Sequence, residues 1–232
     1  HGDHIFGLFG LFSSYSLMGR KNDLHVYAHR DLEDTLQHFL SRFGKGMPYQ
    51  IVFHPFTADR QQEIYSDRHM TVDLIPLRHS VPVAGFIFRE KPRLLNIRKE
   101  CIEKYALGIR DIRRIKEGHD HVTADGRVIP NAELTLPPVK PGSYAFCTDT
   151  AAFSRLAENL KGVDLLYFEA TFAESDKKLA KATGHSTAAQ AAAMAQKAGA
   201  GRLLIGHFST RYKSIEPLLA AARAGFPNTT AV

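Results

Sequence analysis

Residues 143–150 read SYAFCTDT, a run of β-prone and apolar residues that is followed at once by Asp149. Three other strand-like stretches end in the same way: residues 71–77 lead to His79, residues 164–168 to Glu169 and residues 202–206 to His207. In α/β proteins the carboxyl ends of the strands form one rim, where functional residues gather. Each of these residues alone is more often a capping or structural residue, so it is their repetition that predicts a site.

Short β-rich runs alternate with helical stretches over most of the 232 residues, which predicts an α/β fold. Residues 5–18 are apolar on most faces, and this pattern predicts a buried helix. Residues 186–199 form a predicted Ala-rich helix, for which Ser186 is the expected N-cap and Gly199 the expected end.

The composition excludes several classes of protein. With 44% hydrophobic and 23% charged residues, the chain lies in the globular range and is not disordered. No apolar run approaches the ~18 residues of a membrane helix and no secretory leader opens the chain, so we expect no membrane partner. Cys101 and Cys147 lie far apart without a CxxC spacing, which suits a reducing cytoplasm. The net charge of +6 favours an anionic partner such as nucleic acid.

Residues 91–141 differ from the rest of the chain because they are rich in basic residues and end in a group of prolines. We interpret them as a projecting, loosely packed insertion with a basic surface. An ordinary solvated helix pair explains the charge almost as well. The basic residues are Arg93, Arg98, Lys99, Lys104, Arg110, Arg113, Arg114, Lys116 and Arg127.

The chain opens with His1, Gly2, Asp3 and His4, whose imidazole nitrogens and carboxylate oxygens are ligands for zinc or a similar ion. Side chains two and three positions apart in a tight loop point in different directions, so one loop can serve two ions. Gly2 permits the bend. On their own, these four residues are better explained as a chance or tag-derived histidine pair.

Six motifs occur in order along nearly the whole chain: HGDHIFGL at 1–8, LRHSVP at 77–82, CTDT at 147–150, EATF at 169–172, GHST at 184–187 and HFSTRY at 207–212. The first resembles the second part of the H-x-H-x-D-H motif of metallo-β-lactamase-fold hydrolases. Together they resemble the ribonuclease Z family of tRNA 3′-processing endonucleases. The GHST and HFSTRY motifs are far more specific than the metal loop, which many hydrolases share.

The resemblance implies a metallo-β-lactamase-type α/β/β/α four-layer sandwich, with residues 1–232 as one hydrolase domain and residues 91–141 as a basic arm. It implies a zinc-dependent endoribonuclease that removes the 3′ trailer of precursor tRNA, with two zinc ions. Precursor tRNA is the expected partner, in a cytoplasmic homodimer in which the arm of one subunit holds tRNA for the other. The implied metal ligands are His1 and His79 for the first ion, Asp3, His4 and His207 for the second, and Asp149 between them.

The resemblance also implies roles in the reaction itself. Glu169 and His185 form the family's Glu–His pair, which assists proton transfer, because a histidine held by a carboxylate can give a proton to the leaving ribose oxygen near neutral pH. Asp3 orients the attacking hydroxide or accepts its proton, and Arg211 lies near the scissile phosphate.

The sequence departs from the family pattern at several places. The first histidine of the metal motif would lie two positions before His1, so we expect the chain to lack the N-terminal strands and the C-terminal segment of the fold. Phe168 stands where relatives have histidine, which removes a partner for the ligands. Residues 107–111 of the arm lack the family's Gly-Pro motif, and this concerns the gripping of tRNA rather than hydrolysis.

Two other functions stay open from the sequence. A hydrolase of the same fold could act on a small ester or phosphodiester, although a small substrate needs no long cationic arm. A relative that has lost its metal could bind RNA or serve as a dimer partner, although the retained ligand residues argue against this.

Overall fold

The computed structural model describes residues 2–232. Its strands are β1 Leu24–His29, β2 Ile51–Phe56, β3 Gln62–Ser66, β4 Met70–Pro76, β5 Ala84–Glu90, β6 His121–Val122, β7 Val128–Ile129, β8 Ser143–Cys147, β9 Leu165–Glu169, β10 Arg202–Gly206 and β11 Thr229–Ala231. Its α-helices are α1 Phe6–Leu17, α2 Glu33–Phe43, α3 Lys99–Lys104, α4 Ile109–Lys116, α5 Asn131–Leu134, α6 Ser154–Asn159, α7 Lys177–Thr183, α8 Ala188–Ala198 and α9 Glu216–Gly225.

The chain divides into two compact units. The first comprises His1–Tyr65, Val72–Phe88 and Ser143–Val232, and the second comprises Ser66–Thr71 and Arg89–Gly142. None of the helices formed by residues 2–232 combines the length and the apolarity that crossing a membrane requires.

The largest sheet has seven strands in the order β11-β10-β9-β8-β5-β4-β3. The four strands β8, β9, β10 and β11 pair in parallel, with Cys147 opposite Phe168 and Phe168 opposite Ile205. These three residues are fully buried, as expected of parallel strands that are covered by helices. Because the strands are parallel, their carboxyl ends meet at the same edge of the sheet.

Helices α6, α8 and α9 pack with this sheet to form the main core, to which α8 contributes six buried residues, five of them alanine. The N-cap of α8 is Thr187, whose hydroxyl accepts a bond from the Gln190 amide at 3.2 Å, so the expectation of Ser186 was wrong by one residue. Ser186 is engaged elsewhere, because its hydroxyl donates to the Thr150 carbonyl and its amide to Glu169. Gly199 ends the helix in a left-handed conformation, as predicted.

A small parallel sheet of β1 and β2 forms a second core with α1 and α2. It meets the large sheet at an aromatic contact, where the rings of Phe56 and Phe86 lie 6.0 Å apart. The layers of the first unit are therefore helix, sheet, sheet and helix. Helix α1 is not buried as the sequence predicted, because Phe12 is its one buried residue, while Phe6 is 74% exposed and Leu17 90% exposed.

The second unit has a small core of its own, so the expectation of loose packing was wrong. The core residues are Cys101, Leu107, Ile115, Ile129 and Leu134. Helix α4 turns Ile112 and Ile115 toward this core, whereas Arg110, Arg113 and Arg114 remain exposed. The helix begins with the Asp111 carboxylate accepting a bond from the Gly108 amide at 3.0 Å, at the position where the family has its Gly-Pro motif.

Candidate metal centre and active site

Three of the predicted site residues lie where neighbouring parallel strands end. Glu169 is the last residue of β9, His207 directly follows β10, and Asp149 lies two residues beyond β8. Asp149 and His207 adopt left-handed backbone conformations, with φ of 51° and 60°. A side chain with a Cβ adopts this conformation at a cost of roughly 1–2 kcal/mol, and such strain is typical of functional sites.

Asp149 is buried at the centre of the site, between two histidines. Its two carboxylate oxygens lie 2.9 Å from Nε2 of His4 and 3.0 Å from Nε2 of His207. The hydrogen bond from His207 and the charge of His4 lower the pKa of Asp149 in spite of its burial. The same hydrogen bond raises the pKa of His207.

The second nitrogen of His207 shows which atom is available as a ligand. Nδ1 lies 2.9 Å from the Thr171 hydroxyl, which donates its own proton to Glu169 at 2.5 Å. The hydroxyl oxygen must therefore accept a hydrogen bond from Nδ1–H, so a neutral His207 directs the lone pair of Nε2 at the Asp149 carboxylate. Two such acceptors 3.0 Å apart require a cation between them, which is either a proton or a metal ion.

His79 is oriented in a comparable way. Its Nδ1 lies 3.1 Å from the Gly184 carbonyl, which can only accept, so Nδ1 carries the proton and Nε2 is the nitrogen whose lone pair could bind a metal ion. Gly184 is required here because a Cβ atom would lie 2.9 Å from Nδ1 of His79 and because its φ is 75°.

Glu169 is fully buried and belongs with the donors around Asp149, His185 and His207, whose ligand atoms all lie within 4.8 Å of one another. However, its carboxylate already accepts bonds from the Thr150 amide, the Thr171 hydroxyl, the Ser186 amide and Nδ1 of His185. These four donors use the lone pairs of both oxygens, so Glu169 positions loops and His185 rather than offering a ligand atom.

The four imidazoles of the site form one continuous cluster. The ring centroids of His79 and His185 are 4.8 Å apart, those of His185 and His207 5.4 Å, and those of His4 and His207 6.0 Å. A cavity of about 230 Å³ adjoins His4, His79 and Asp149, with apolar walls that include Phe86 and Phe146.

Asp3 and Arg211 lie at the margin of this cluster. Asp3 is 71% exposed and its carboxylate is 3.6 Å from Nε2 of His4. Arg211 stacks on the Phe172 ring at 5.0 Å, and that ring lies 6.1 Å from the ring of His185. The predicted ligand His1 lies outside the described residues.

Two residues that hold the site received no role from the sequence. Thr171 joins His207 to Glu169, and Gly184 sets the proton position on His79. Thr171 carried one signal, since it lies two residues beyond Glu169 within the EATF motif. Phe168, at the position where the family has histidine, is fully buried in the main core.

Comparisons with known proteins identify the family of this chain. A model of the beta-lactamase superfamily domain matches residues 114–208. Ribonuclease Z from Bacteroides fragilis is 46% identical over 229 residues, which are 99% of this chain and 75% of that protein. Ribonuclease Z from Porphyromonas gingivalis is 44% identical over 231 residues, which cover all of this chain and 76% of that protein. The chain belongs to the ribonuclease Z family.

Alignment with solved structures shows that this chain has the metallo-β-lactamase fold, as the sequence predicted. The short form of human tRNase Z aligns with a TM-score of 0.65 at 22% identity, over the whole of this chain and 73% of that one. A metallo-β-lactamase-fold protein from Bacillus subtilis aligns with a TM-score of 0.62 at 16% identity, over the whole chain and 70% of that protein. The chain thus spans about three quarters of the length of its relatives.

The left-handed backbone at His207 predicts a specific order of stability. His207→Gly and His207→Ala both remove the imidazole, but only alanine retains the strain of the left-handed conformation. We expect the glycine variant to be more stable in urea unfolding by about 1 kcal/mol, measured without added metal. The control is Phe208, whose backbone is outside the left-handed region. There Phe208→Gly should be less stable in urea unfolding than Phe208→Ala. Equal stability of the two His207 variants would contradict the strain.

Proposed function

We propose that this chain is a metal-dependent endoribonuclease that cuts the 3′ trailer from precursor tRNA and leaves a 3′-hydroxyl on the tRNA. The observation that carries the proposal is the Asp149 carboxylate between His4 and His207, next to the pair formed by the buried Glu169 and the half-buried His185. Membership of the ribonuclease Z family supports the RNA substrate, because the relatives that share 44–46% of their residues with this chain are ribonucleases.

The residues present fit a divalent metal ion. His4, His79 and His207 offer imidazole nitrogens and Asp149 offers two oxygens, a donor set that zinc prefers. We assign two zinc ions to the complete site, with Asp149 serving both and with Asp3 and His1 as further ligands. When bound, such ions lower the pKa of a water molecule and offset the negative charge of a phosphodiester.

The protein side chains then carry the protons of the reaction. The water oxygen forms a bond to phosphorus while the bond from phosphorus to the ribose 3′ oxygen breaks. Asp3, which is exposed beside His4, orients the attacking water and accepts its proton. His185 gives a proton from Nε2 to the leaving 3′ oxygen, and the trailer departs with a 5′-phosphate. Glu169 holds Nδ1 of His185 at 3.0 Å and stabilises its charged form.

Arg211 is suited to a phosphate next to these groups. Its guanidinium lies 5.0 Å from the centre of the Phe172 ring, its Nε donates to the Ser209 hydroxyl at 3.2 Å and one Nη lies 3.8 Å from the Asp176 carboxylate, so three contacts hold the group in place. A planar guanidinium matches the oxygens of a phosphate and keeps its charge at any physiological pH. We therefore assign Arg211 to the phosphate that is cleaved.

The second unit favours RNA over a small ester as substrate. Arg110, Arg113 and Arg114 project from the exposed side of α4, while the other side packs on the core of that unit. A row of cations on a folded surface binds a polyanion, and hydrolysis of a small ester does not need it. We propose that this unit is the arm that grips tRNA.

We also propose that the enzyme is a cytoplasmic homodimer that associates through α1. This helix has no charged residue, and it exposes Phe6, Leu17 and the adjoining Met18. A chain with a net charge of +6 repels its own copies, so a neutral apolar face is the surface on which two copies can meet. The two free, buried cysteines, Cys101 and Cys147, support a reducing compartment such as the cytoplasm.

Asp149→Asn tests the proposed reaction. Asparagine keeps the shape of the side chain and tolerates a left-handed backbone, but it removes the charge that both ions require. We expect cleavage of a precursor tRNA to fall about a thousandfold or more, with bound zinc reduced when measured by plasma mass spectrometry. Asp34→Asn on the exposed first turn of α2 is the matched control and should retain activity. Wild-type turnover with full metal content in Asp149→Asn would refute the assignment.

Arg110→Ala combined with Arg114→Ala tests the arm. Each lost phosphate contact reduces the salt dependence of binding by about 0.9 in a plot of log K against log salt. The double variant should therefore bind precursor tRNA more weakly and with a slope lower by about 1.8. Arg42→Ala in the first unit is the control for loss of charge alone. An unchanged slope in the double variant would show that α4 is only a solvated surface.

Leu17→Glu tests the dimer. A carboxylate on the apolar face of α1 meets its own copy across a two-fold interface, which like charges oppose. We expect the wild type to run as a dimer and the variant as a monomer in light scattering coupled to gel filtration. Leu94→Glu, which is also an exposed leucine but lies in the second unit, should leave the mass unchanged. A dimer that survives Leu17→Glu would place the interface elsewhere.

A further inference from the structure

A polar cleft, distinct from the cavity beside His4 and His79, lies next to the loops that carry the proposed metal ligands. Its volume is about 290 Å³, and its walls include Asp59, Arg60, Arg78, Phe153, Arg155 and Asn159. All of these residues belong to the first unit, and the role of none of them has been assigned above. The cleft is therefore separate from the arm.

Arg78 connects the cleft to the reaction centre. It directly precedes the ligand His79, its amide donates to the Thr150 hydroxyl at 3.1 Å, and its carbonyl accepts from the Ala151 amide at 2.8 Å. These backbone bonds join the loop of His79 to the loop that follows Asp149. The Arg78 side chain is thus fixed at its base to both ligand loops.

The Arg78 guanidinium is held without using its hydrogen-bond donors. Its central carbon lies 4.5 Å from the centre of the Phe153 ring, a cation–π contact that holds the group without using an N–H donor to an oxygen. Within residues 2–232, Arg60, Arg78 and Arg155 form no ion pair with a carboxylate. Free donors on a planar cation match the oxygens of a phosphate.

The charge of the cleft is positive even when its acidic residue is counted. Asp59 accepts a bond from the Thr57 hydroxyl at 2.8 Å, and this bond lowers the pKa of the carboxyl, so Asp59 is ionised at neutral pH. Three guanidinium groups against one carboxylate leave a surplus of two positive charges. Asn159 adds a neutral amide that can donate to a further oxygen.

We propose that Arg60, Arg78 and Arg155 bind a backbone phosphate of the RNA that neighbours the phosphodiester under attack. The site would hold the strand on the His79 side of the reaction centre, whereas Arg211 belongs to the cleaved phosphate. This inference rests on the proposed endoribonuclease function and specifies how the active site recognises a strand rather than an isolated ester.

The experiment compares Arg78→Ala combined with Arg155→Ala against Lys161→Ala, an exposed cation just beyond the end of α6. The substrates are a precursor tRNA and a series in which one phosphate near the cleavage position is replaced by an uncharged methylphosphonate. In the wild type we expect one flanking replacement to raise KM about tenfold. In the double variant, KM for the unmodified substrate should already be raised about tenfold. The same methylphosphonate replacement should then cause no further rise in KM. Lys161→Ala should respond to the series as the wild type does.

The outcomes separate the possible explanations. If every methylphosphonate replacement raises KM of the double variant as much as KM of the wild type, the arginines do not contact a flanking phosphate and the proposal fails. If the double variant loses kcat on bis(p-nitrophenyl) phosphate as strongly as on tRNA, the substitutions have disturbed the ligand loops and the proposal fails as well. Arg78→Lys separates charge from stacking, and it should restore part of the lost affinity.

Failure of the cleft is distinguishable from failure of the endoribonuclease function. If the wild type does not cut precursor tRNA, the endoribonuclease function fails, and binding of a short single-stranded RNA then tests the cleft by itself. In that assay the double variant should show a salt slope lower by about 1.4, at 0.7 for each contact with a single strand. Identical binding by the wild type and the double variant would overturn the proposal.

Discussion

The rest of the site depends on one electrostatic constraint, the placement of the Asp149 carboxylate between imidazole nitrogens of His4 and His207 at 2.9 and 3.0 Å. Because the Thr171 hydroxyl accepts a hydrogen bond from Nδ1–H, a neutral His207 faces Asp149 with the lone pair of Nε2, and a proton or a metal ion must lie between them. Both residues adopt left-handed backbone conformations, which are costly for a residue with a Cβ and are typical of functional sites. The parallel register of β8, β9 and β10 is what brings these residues to one edge.

Glu169 explains how this arrangement is kept in place. A buried carboxylate is costly unless its lone pairs are satisfied, and Glu169 satisfies them with donors from three separate loops, at Thr150, Thr171 and residues 185–186. Through these hydrogen bonds, the buried Glu169 carboxylate connects the loop after Asp149, the end of β9 and the turn before α8. A residue that offers no ligand atom of its own sets the distances between those that do.

The sequence predicted the parts of the site that depend on chain order alone. Asp149, Glu169 and His207 were found because each follows a short buried strand, and parallel strands end at one edge. The roles of Thr171 and Gly184 depend on contacts between residues that are 36 and 105 positions apart in the chain, which no local pattern contains.

The burial of α1 was predicted wrongly for a related reason, since an apolar helix needs a covering surface that its own residues do not reveal. The cap of α8 moved to Thr187 because tertiary bonds engage Ser186. Strand β11, with three residues, gave too short a signal to be recognised.

The carboxylates and the arginines of this protein are distributed differently, and this difference bears on how a negatively charged RNA can reach the active site. Although the chain carries a net charge of +6, the carboxylates of Asp3, Asp149 and Glu169 gather around the reaction centre, where they would repel a phosphodiester. Within the first unit, Arg78 in the polar cleft and Arg211 on the Phe172 ring add positive charge, and α4 of the second unit carries further arginines of its own. Under the proposed function, a divalent metal ion would offset the charge of the three carboxylates for the scissile phosphate, and Arg211 would add to its effect. A protein that merely bound RNA would gain nothing from these three carboxylates, because their negative charge repels the phosphates of its own ligand.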